Sequence, residues 1–331
     1  MGYARKRPIR VAGTGHSEIL GVGGYRPRRR VDNAELCRSI DSTPEWIETR
    51  SGIRRRGFAG PDETLPMMAA EAAGRALDRA AVRAGDVDLV LVASMSHLVQ
   101  TPALAAVVAH RLGADRAAAF DLSAACAGFC HALAVASDTV RTGGARRVLV
   151  IGAERMTDIV EPTDRTSALL FADGAGAVLV GAADRPGIGP VVRRSDGAYA
   201  EALRMTAPWA GEERPWMRMD GRRVFRWAME EVAPAALAAL DAAGQSVADL
   251  GAFVPHQANL RMTELMVERL GLTPATTVAR DVVETGNTSA ASIPLALDRL
   301  LTEGAVTSGD TALLVGFGAG LNYAAQTVVL P

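Results

Sequence analysis

The chain has 331 residues, of which 49% are hydrophobic and 22% charged, enough apolar material for one large domain or two fused halves. With 36 Lys and Arg against 37 Asp and Glu, the net charge of −1 gives no indication of nucleic-acid binding. No apolar run approaches the ~18 residues of a membrane span. The N-terminus lacks the apolar core of a secretory signal. Three cysteines argue against a disulfide framework or a Cys-rich metal site, so a cytoplasmic protein is expected.

Apolar runs of strand length alternate with helical patterns in the first half of the chain. The expected elements, in order, are a strand at 19–23, a helix at 33–40, a helix that Ser42 starts through a capping box with Glu45, a helix at 67–82, a strand at 87–93, a helix at 103–112, a strand at 117–122, a helix from about 126 to 142, and strands at 147–152 and 173–180. Because the strand runs are apolar almost throughout, we expect a mainly parallel sheet covered on both faces.

The second half repeats this order of strands and helices. The expected elements are a strand at 188–192, an irregular insertion at 197–218, a helix at 224–243, a strand at 250–254, a helix at 259–270, a helix at 287–302, and closing strands at 311–315 and 322–330. We expect the two halves to be 1–182 and 183–331. The insertion contains Trp209 and Trp216 and is predicted to form a pocket wall or lid.

A cysteine follows a predicted strand and begins a predicted helix in the segment 121–131, DLSAACAGFCH. At a helix start, unpaired N–H groups and the helix dipole stabilise a Cys126 thiolate, and small neighbours let a substrate carbonyl approach. A cysteine in an Ala-rich run is more often a small core residue. Cys130, one helical turn later, is interpreted as a packed thiol rather than as a redox or metal partner.

Two further motifs favour the functional interpretation. The segment 254–261, VPHQANLR, places His256 after a buried strand, and the segment 285–292, TGNTSAAS, contains Asn287. The three motifs in this order and spacing resemble those of the β-ketoacyl-acyl carrier protein synthase III family of the thiolase superfamily. Within that family the chain is most similar to the priming ketosynthases of aromatic polyketide pathways, from about Ile19 to the C-terminus.

The resemblance implies a thiolase-like α/β fold, with two duplicated βαβαβ halves in five αβαβα layers. It also implies a decarboxylating Claisen condensation of an acyl-CoA primer with malonyl-acyl carrier protein, which primes polyketide or fatty acid synthesis. Cys126 would carry the acyl group as a thioester. Backbone N–H groups of Cys126 and Ala319 would form the oxyanion hole, although the family has Gly at position 319. His256 and Asn287 would donate to the enolate oxygen, which an ionised Asp at 287 could not do.

The resemblance also assigns residues to the substrate surfaces of a homodimeric enzyme that needs no metal or cofactor and binds neither nucleic acid nor membrane. Residues for CoA and its pantetheine arm are Trp46, Arg50, Arg165, Gly221, Phe225 and Asn259. Residues for docking the acidic carrier protein are Gln257, Arg261, Arg222 and Arg226. Thr101 stands where acetyl-selective bacterial members have Phe, so a roomier primer pocket is expected, with this residue supplied by the partner subunit.

Other functions fit the sequence less well. A non-decarboxylating acyltransferase of the same fold would keep Cys126 but tends to change the Asn287 position. A scaffold subunit would lack the cysteine. A dinucleotide-dependent oxidoreductase would need a third glycine and a helix after the segment 13–18, GTGHSE, and neither is found. The basic residues at 5–10 are either surface charge or an attraction for acidic partners.

Overall fold

The apolar runs of the sequence form strands and helices in the computed structural model of the chain, which describes residues 15–208 and 214–331. The strands are β1 (Ser17–Tyr25), β2 (Arg29–Asp32), β3 (Arg55–Phe58), β4 (Leu89–Ala93), β5 (Ala118–Leu122), β6 (Arg147–Arg155), β7 (Asp173–Ala182), β8 (Val192–Ser195), β9 (Leu203–Met205), β10 (Met217–Met219), β11 (Ala252–Pro255), β12 (Thr277–Val278), β13 (Thr311–Gly318) and β14 (Asn322–Val329). The helices are α1 (Asn33–Leu36), α2 (Pro44–Ser51), α3 (Leu65–Arg79), α4 (Leu104–Leu112), α5 (Gly128–Arg141), α6 (Gly221–Ala242), α7 (Leu260–Leu270), α8 (Val282–Thr285) and α9 (Ser292–Thr302).

The two main sheets have the same topology. The first has the spatial order β1-β7-β6-β4-β5, and the second has the order β8-β14-β13-β11-β12. In the first sheet β6, β4 and β5 run parallel, whereas β7 pairs antiparallel with both β6 and β1. The second sheet repeats this arrangement around β13 and β14. The duplication expected from the sequence is therefore present.

The prediction of a mainly parallel sheet is wrong, because half of the pairings in each sheet are antiparallel. The antiparallel strands β7 and β14 are buried along almost their whole length. Since helices cover both faces of each sheet, these strands carry the same continuous apolar runs as parallel strands do. The runs therefore did not reveal strand direction.

Five layers of secondary structure build the molecule. One apolar cluster joins the facing sides of the two sheets to α5 and α9, which lie between them. A second cluster joins the outer face of the first sheet to α3 and α4. A third joins the outer face of the second sheet to α6 and α7. The order is helices, sheet, central helices, sheet, helices, as expected.

The first turns of the two central helices pack closely against strands of the opposite halves. A Cβ placed on Gly316 in β13 would lie 3.0 Å from Cα of Ala127, just before α5. A Cβ on Gly152 in β6 would lie 2.2 Å from the carbonyl oxygen of Ala290, just before α9. Glycine at these two positions lets each helix start reach the other half's sheet. This crossing brings motifs that are distant in the sequence to one place.

Several predicted boundaries are corrected. Helix α2 begins after Thr43, whose hydroxyl accepts from the Trp46 N–H at 3.2 Å, so Ser42 is not its cap. The strand predicted at 188–192 is instead β8, and Ile188 makes only an isolated bridge. The helix predicted to begin at Asn287 begins five residues later, as α9.

The insertion contains a short hairpin. Strands β9 and β10 pair antiparallel, with Met205 opposite Met217. Trp209 of the insertion and the basic residues at 5–10 lie outside the described residues. The boundary after residue 182 stays a prediction; β7, the last strand of the first sheet in chain order, ends at Ala182. Within the two described ranges, no helix combines the length and hydropathy that a membrane span needs.

Candidate active site

Cys126 lies in a single 3-10 turn, Ala125–Ala127, that leads directly into α5. The residue is 4% exposed. Ala125 has a φ of 46°, a left-handed conformation that is uncommon outside glycine. Gly318, at the end of β13, comes so close that a Cβ there would lie 2.8 Å from the Cys126 nitrogen. The loop after β13 therefore reaches the backbone N–H of Cys126 only because residue 318 has no side chain.

An equivalent turn, Ser289–Ala291, leads into α9 from the other half. Ser289 has a φ of 48°, nearly the same as the first residue of the Cys126 turn. Its backbone N–H donates to Oδ1 of Asn287 at 2.9 Å, and Nδ2 of Asn287 donates to the Ala258 carbonyl at 3.4 Å. These contacts fix the orientation of the buried Asn287 amide. Its nitrogen faces the segment that follows β11.

His256 lies in that segment, directly after β11, and is 3% exposed. Its Nδ1 is 2.8 Å from the Ser292 hydroxyl, and its ring packs edge-on against Phe317, with 5.2 Å between centroids. The Ser292 hydroxyl also accepts from the Gln257 N–H at 3.3 Å. We therefore assign the Ser292 hydroxyl as the donor and His256 Nδ1 as the acceptor. Burial lowers the pKa of His256 to about 3, so the ring is neutral and Nε2–H is a donor.

The Cys126 side chain is a thiol rather than a thiolate at neutral pH. Burial raises its pKa to about 12; hydrogen bonding of the Ser289 hydroxyl to the ionised sulfur partly opposes this rise, and the charge of Glu154 reinforces it. A helix dipole contributes at most ~2 kcal/mol, or about 1.5 pKa units, which is too little to cancel this effect. The backbone of the helix start lowers the pKa of Cys126, as the sequence predicts, but does not outweigh burial. A proton acceptor is needed.

Glu154 is a fully buried carboxylate at the end of β6, close to the start of α9. Its Oε1 accepts from the Ser289 hydroxyl at 3.0 Å. Its Oε2 accepts from the Ser96 hydroxyl at 2.5 Å and from the Ser94 hydroxyl at 3.3 Å. Backbone N–H groups of Met95 and Ser96 also donate to it. Burial raises the pKa of Glu154 to about 7, although these hydrogen bonds favour the ionised form.

A cavity of about 420 Å³ borders the turn that holds Cys126 and is lined by Ala125 of that turn and Ala124 just before it. Part of its wall comes from the hairpin of the insertion, as the sequence predicted, and part from the turn and loop around the cysteine. Its apolar lining comes from Met95, Ala125, Leu203, Met205, Met217 and Ala319. This space is lined mostly by apolar atoms and adjoins the residues just before Cys126 in the chain.

A groove of about 720 Å³ runs between α2, α6 and α7. Seven residues predicted to contact CoA, pantetheine or the carrier protein line it: Arg50, Gly221, Arg222, Phe225, Arg226, Asn259 and Arg261. Trp46 lies nearby with 38% of its surface exposed. The guanidinium of Arg165 is 5.1 Å from its ring centroid and that of Arg50 is 5.8 Å away. The structure thus groups the predicted CoA residues on one surface.

Comparisons with known proteins agree with this geometry. Residues 120–197 match the family model described as 3-oxoacyl-[acyl-carrier-protein] synthase III, and residues 240–330 match its C-terminal model. A β-ketoacyl-[acyl-carrier-protein] synthase III of Streptomyces lividans is 55% identical over 98% of this chain and 97% of its own length. A mycobacterial synthase III of Mycobacterium tuberculosis is 49% identical over 95% of each chain.

Two solved structures show the same fold. The priming β-ketosynthase of the R1128 polyketide pathway is 55% identical, covering 98% of this chain and 99% of that one, with a TM-score of 0.96. The 3-oxoacyl-[acyl-carrier-protein] synthase III of Aquifex aeolicus is 35% identical, covering 95% and 99%, with a TM-score of 0.88. The chain belongs to the β-ketoacyl-acyl carrier protein synthase III family. It is a thiolase-fold acyltransferase of the ketosynthase type.

One residue assigned to carrier-protein docking in this synthase III chain is corrected. Gln257 is 1% exposed. Its Nε2 donates to the carbonyls of Pro255 at 2.8 Å and Ala279 at 3.2 Å, and its Oε1 accepts from the Val282 N–H at 3.1 Å. A side chain this buried and fully bonded braces the loop that carries His256 and cannot touch a partner's surface. Arg261, in the same motif, is exposed.

Thr101 does not join the cluster within this chain. It lies on an exposed loop before α4, together with Leu98 and Val99. Thr101 is not among the residues that line the cavity by the Cys126 turn. Its role therefore stays a prediction.

Three residues near the site were missed by sequence reasoning. Ser289 and Ser292 lie inside the motif that was recognised through Asn287, but serines in a turn are common helix-start residues and gave no separate signal. Glu154 follows the buried run of β6, and a carboxylate at the end of an apolar strand was the available clue. Among residues 15–208 and 214–331, no group of three or more His, Cys, Asp or Glu is placed to hold a metal ion.

Proposed function

We propose that this synthase III chain primes polyketide synthesis by a decarboxylating condensation of an acyl-CoA with malonyl-acyl carrier protein. The products are β-ketoacyl-acyl carrier protein, CoA and CO2. The observation that carries the proposal is that the segment 287–292 links the three residues: Ser289 bonds to Asn287 and acts on the Cys126 side chain, and Ser292 bonds to His256. The similarity to a priming β-ketosynthase favours a polyketide pathway over fatty acid initiation.

In the first stage, the Cys126 sulfur attacks the thioester carbon of the acyl-CoA, and the bond from that carbon to the CoA sulfur breaks. Negative charge develops on the carbonyl oxygen, which backbone N–H groups of Cys126 and Ala319 stabilise. The close approach of Gly318 to the Cys126 nitrogen supports this assignment. Hydrogen bonding of the Ala319 carbonyl to Asn322 helps to hold the loop in place.

In the second stage, malonyl-acyl carrier protein loses CO2, and its enolate carbon attacks the thioester on Cys126. His256 and Asn287 donate to the enolate oxygen through Nε2–H and the amide NH2. Two features support these roles: Ser292 leaves the proton of His256 on Nε2, and Ser289 engages the amide oxygen of Asn287. A neutral imidazole donates to the enolate without giving up a full proton to it.

The groove and its rim are the proposed substrate entrance. Trp46 stacks on the adenine of CoA, Arg50 and Arg165 contact its phosphates or base, and the pantetheine arm passes Gly221, Phe225 and Asn259. The exposed arginines at the rim, Arg222, Arg226 and Arg261, steer an acidic carrier protein. Acyl-CoA and malonyl-acyl carrier protein are thus the proposed partners. A reducing cytoplasm, which keeps Cys126 reduced, is the proposed compartment.

A homodimer is the proposed assembly. Strand β5 is an edge of the first sheet, with β4 as its one neighbour there. It carries Phe120 at 45% exposure, beside the loop that exposes Leu98 at 41% and Val99 at 53%. Exposed apolar side chains on an unpaired strand edge fit pairing with a second copy. Such pairing would carry Thr101 toward the partner's primer cavity, where a residue smaller than Phe leaves room for longer primers.

The test is intact-protein mass spectrometry after exposure to a panel of acyl-CoAs, followed by malonyl-acyl carrier protein. The expected result is a mass gain of one acyl group, absent in Cys126→Ala, that is discharged as β-ketoacyl-carrier protein with release of CO2. Loading without condensation would point instead to an acyltransferase of the same fold. Absence of loading across acetyl, propionyl, butyryl, branched and longer primers would contradict the proposal.

A further inference from the structure

The Ser289 hydroxyl interacts with both the Cys126 side chain and the Glu154 carboxylate. Ser289 Oγ donates to Glu154 Oε1 at 3.0 Å and is also a hydrogen-bond partner of the Cys126 side chain. Glu154 has no exposed surface, and Cys126 and Ser289 are buried as well. While the Ser289 hydroxyl donates to the carboxylate, an oxygen lone pair is free to accept from the thiol; once Cys126 is ionised, the same hydroxyl donates to the sulfur, which is why Ser289 lowers the pKa of Cys126.

We propose that Ser289 and Glu154 form a proton relay that takes the thiol proton from Cys126 during acylation and returns it when the product leaves. The relay deepens the proposed ketosynthase function and rests on it. Cys126 is the nucleophile, and Ser289 touches its reacting atom. Glu154 acts through Ser289 and is a positioning and proton-storing residue.

The proton count closes over one turnover. In acylation, the thiol proton moves to Ser289 Oγ while the hydroxyl proton moves to Glu154 Oε1, and the sulfur bonds to the acyl carbon. CoA leaves as a thiolate and takes a proton from water. In condensation, the enolate carbon bonds to the acyl carbon and the carbon–sulfur bond to Cys126 breaks. The departing Cys126 sulfur then recovers its proton from Glu154 through Ser289.

The relay also explains why a carboxylate can remain beside a site that receives anions. While the acyl group is on Cys126, Glu154 holds the proton and is neutral. The malonyl carboxylate and the enolate then meet no fixed negative charge from this residue. A carboxylate that stayed ionised in so buried a place would repel both.

His256 is poorly suited to be the proton acceptor. Its Nδ1 faces Ser292, and its ring edge faces Phe317. Burial lowers its pKa to about 3, so an imidazolium there is strongly disfavoured. Glu154, whose pKa burial raises to about 7, can both accept and release a proton near neutral pH.

The backbone of the turn supports a role for the Ser289 side chain. Ser289 and Ala125 occupy the same position in the two equivalent turns, and both have a positive φ. A non-glycine residue in this left-handed conformation is under backbone strain. In the first turn the side chain is only a methyl group, whereas in the second it is a hydroxyl held between a thiol and a carboxylate. Alanine at position 125 also indicates that Ser289→Ala is compatible with this turn.

The groups around the relay contribute little charge of their own. Burial raises the pKa of Cys130 to about 12, so it is uncharged, as is His256. Arg155, next to Glu154 in β6, pairs with Asp158 at 3.4 Å. Asp173, on the neighbouring strand β7, accepts from Ala59 and Thr157, and burial raises its pKa to about 6. Because Glu154→Gln removes only the titration of Glu154, it distinguishes that residue's effect on the pH profile from the effect of Asp173.

The experiment compares Ser289→Ala and Glu154→Gln with wild-type protein in two assays. One is single-turnover acylation by the primer found above, and the other is alkylation of Cys126 by iodoacetamide, located by peptide mapping against Cys37 and Cys130. Both are measured from about pH 6 to about pH 10. Ser94→Ala is the matched control, because it removes a hydrogen bond to the other oxygen of Glu154.

Each relay variant is expected to lower the acylation rate at neutral pH by about 100-fold or more, with the deficit shrinking as hydroxide takes over at high pH. The double variant should be no slower than the slower single variant, since both changes break one chain. Ser94→Ala should stay within about threefold of wild type. Circular dichroism and thermal melting check that each variant is folded.

Acylation within about threefold of wild type in both relay variants would overturn the proposal. So would a deficit that is the same at every pH, because that indicates only that Glu154 anchors the segment 94–96. Alkylation requires no acyl-CoA. A further outcome is that alkylation depends on Ser289 and Glu154 while the protein accepts no acyl group. That outcome would contradict the ketosynthase proposal and leave the relay standing.

Discussion

The hydroxyl of Ser292 lies 2.8 Å from Nδ1 of His256 and links two residues that are 36 positions apart in the chain. Ser292 is the first residue of α9, and His256 follows β11. Because the hydroxyl also accepts from a backbone N–H, it donates to Nδ1 and keeps the imidazole proton on Nε2. The first residue of a central helix therefore determines which nitrogen of the His256 ring carries the proton.

Ser292→Ala should weaken the decarboxylation stage. Without the hydroxyl, the imidazole loses its preferred tautomer, and we expect release of CO2 from malonyl-carrier protein to fall by about tenfold or more. Acylation of Cys126 should change by less than about twofold. The rates are measured separately, with the acyl-enzyme formed first. Ser137→Ala is the control, because Ser137 is a buried serine of the other central helix, bonded to Ser17 at 2.8 Å. An equal loss in both stages would contradict the assigned role.

Asn287→Asp should stop the reaction at the acyl-enzyme. The carboxylate has the size of the amide but has no donor and repels the enolate, so decarboxylation should fall by about 100-fold or more. Loading of Cys126 should persist, and the acyl-enzyme should accumulate in intact-protein mass spectra. Asn33→Asp provides a contrast, since Asn33 is a buried asparagine of α1 whose Oδ1 accepts from Arg56 at 2.8 Å. Rapid discharge by Asn287→Asp would disprove the donor role.

The sequence predicted the residues whose chemistry is carried by a local motif. Cys126, His256 and Asn287 each stand at the end of a strand or the start of a helix, where a single motif is enough to mark them. The residues that tune them were missed, because their partners come from elsewhere in the fold. Glu154 and Ser289 are 135 positions apart and meet only because each central helix start crosses to the opposite sheet.

Gln257 was misassigned for a related reason. A polar residue beside a functional motif looks like a surface contact in the sequence, but here its three hydrogen bonds are all to backbone groups. Strand direction was missed because the burial of β7 and β14 erased the alternation that marks antiparallel strands. Local patterns thus located the strands well and their pairing poorly.

Trp46→Ala and Arg165→Ala should each raise the KM for acyl-CoA by about tenfold with little change in kcat. The guanidinium of Arg165 lies 5.1 Å from the Trp46 ring centroid, so the pair is placed to hold a flat, partly anionic group. Steady-state kinetics with an acyl-pantetheine, which has no nucleotide, should show no change. Arg83→Ala is the control, because Arg83 is an exposed arginine paired with Asp86. A similar KM increase with acyl-pantetheine would place the effect elsewhere.

Phe120→Asp should convert a dimer into a monomer. Phe120 is 45% exposed on the edge strand β5, and a charge there would oppose pairing with a second copy. Light scattering coupled to size exclusion is expected to give about twice the chain mass for wild type and the chain mass for the variant. Leu237→Asp is the control, since Leu237 is 43% exposed on α6, away from this edge. A monomeric wild-type protein would contradict both the dimer and the proposed role of Thr101.

His256→Gln should make the protein less sensitive to acid. The pKa of His256 is about 3 in the folded chain, against about 6.5 when unfolded, so the unfolded chain binds the extra proton between these values. The stabilising contribution is complete above about pH 6.5 and is lost as the pH falls, at up to about 1.4 kcal/mol per pH unit. Urea unfolding between about pH 3 and 4.5, where His256 titrates and Glu154 does not, should show a smaller slope in the variant.

Glu154→Gln should change the same curve in the opposite direction. The pKa of Glu154 is raised to about 7 from 4.5, so the folded chain binds the extra proton between these values. Its contribution is present below about pH 4.5 and is lost as the pH rises through 7. The variant lacks this loss of stability. The free energy of unfolding at pH 8, relative to that at pH 5, should therefore be higher in Glu154→Gln than in wild type. Between about pH 4.5 and 6.5 the two residues oppose each other, so the wild-type curve should be flatter there than in either variant. If both variants keep the wild-type slope, neither group is buried as described.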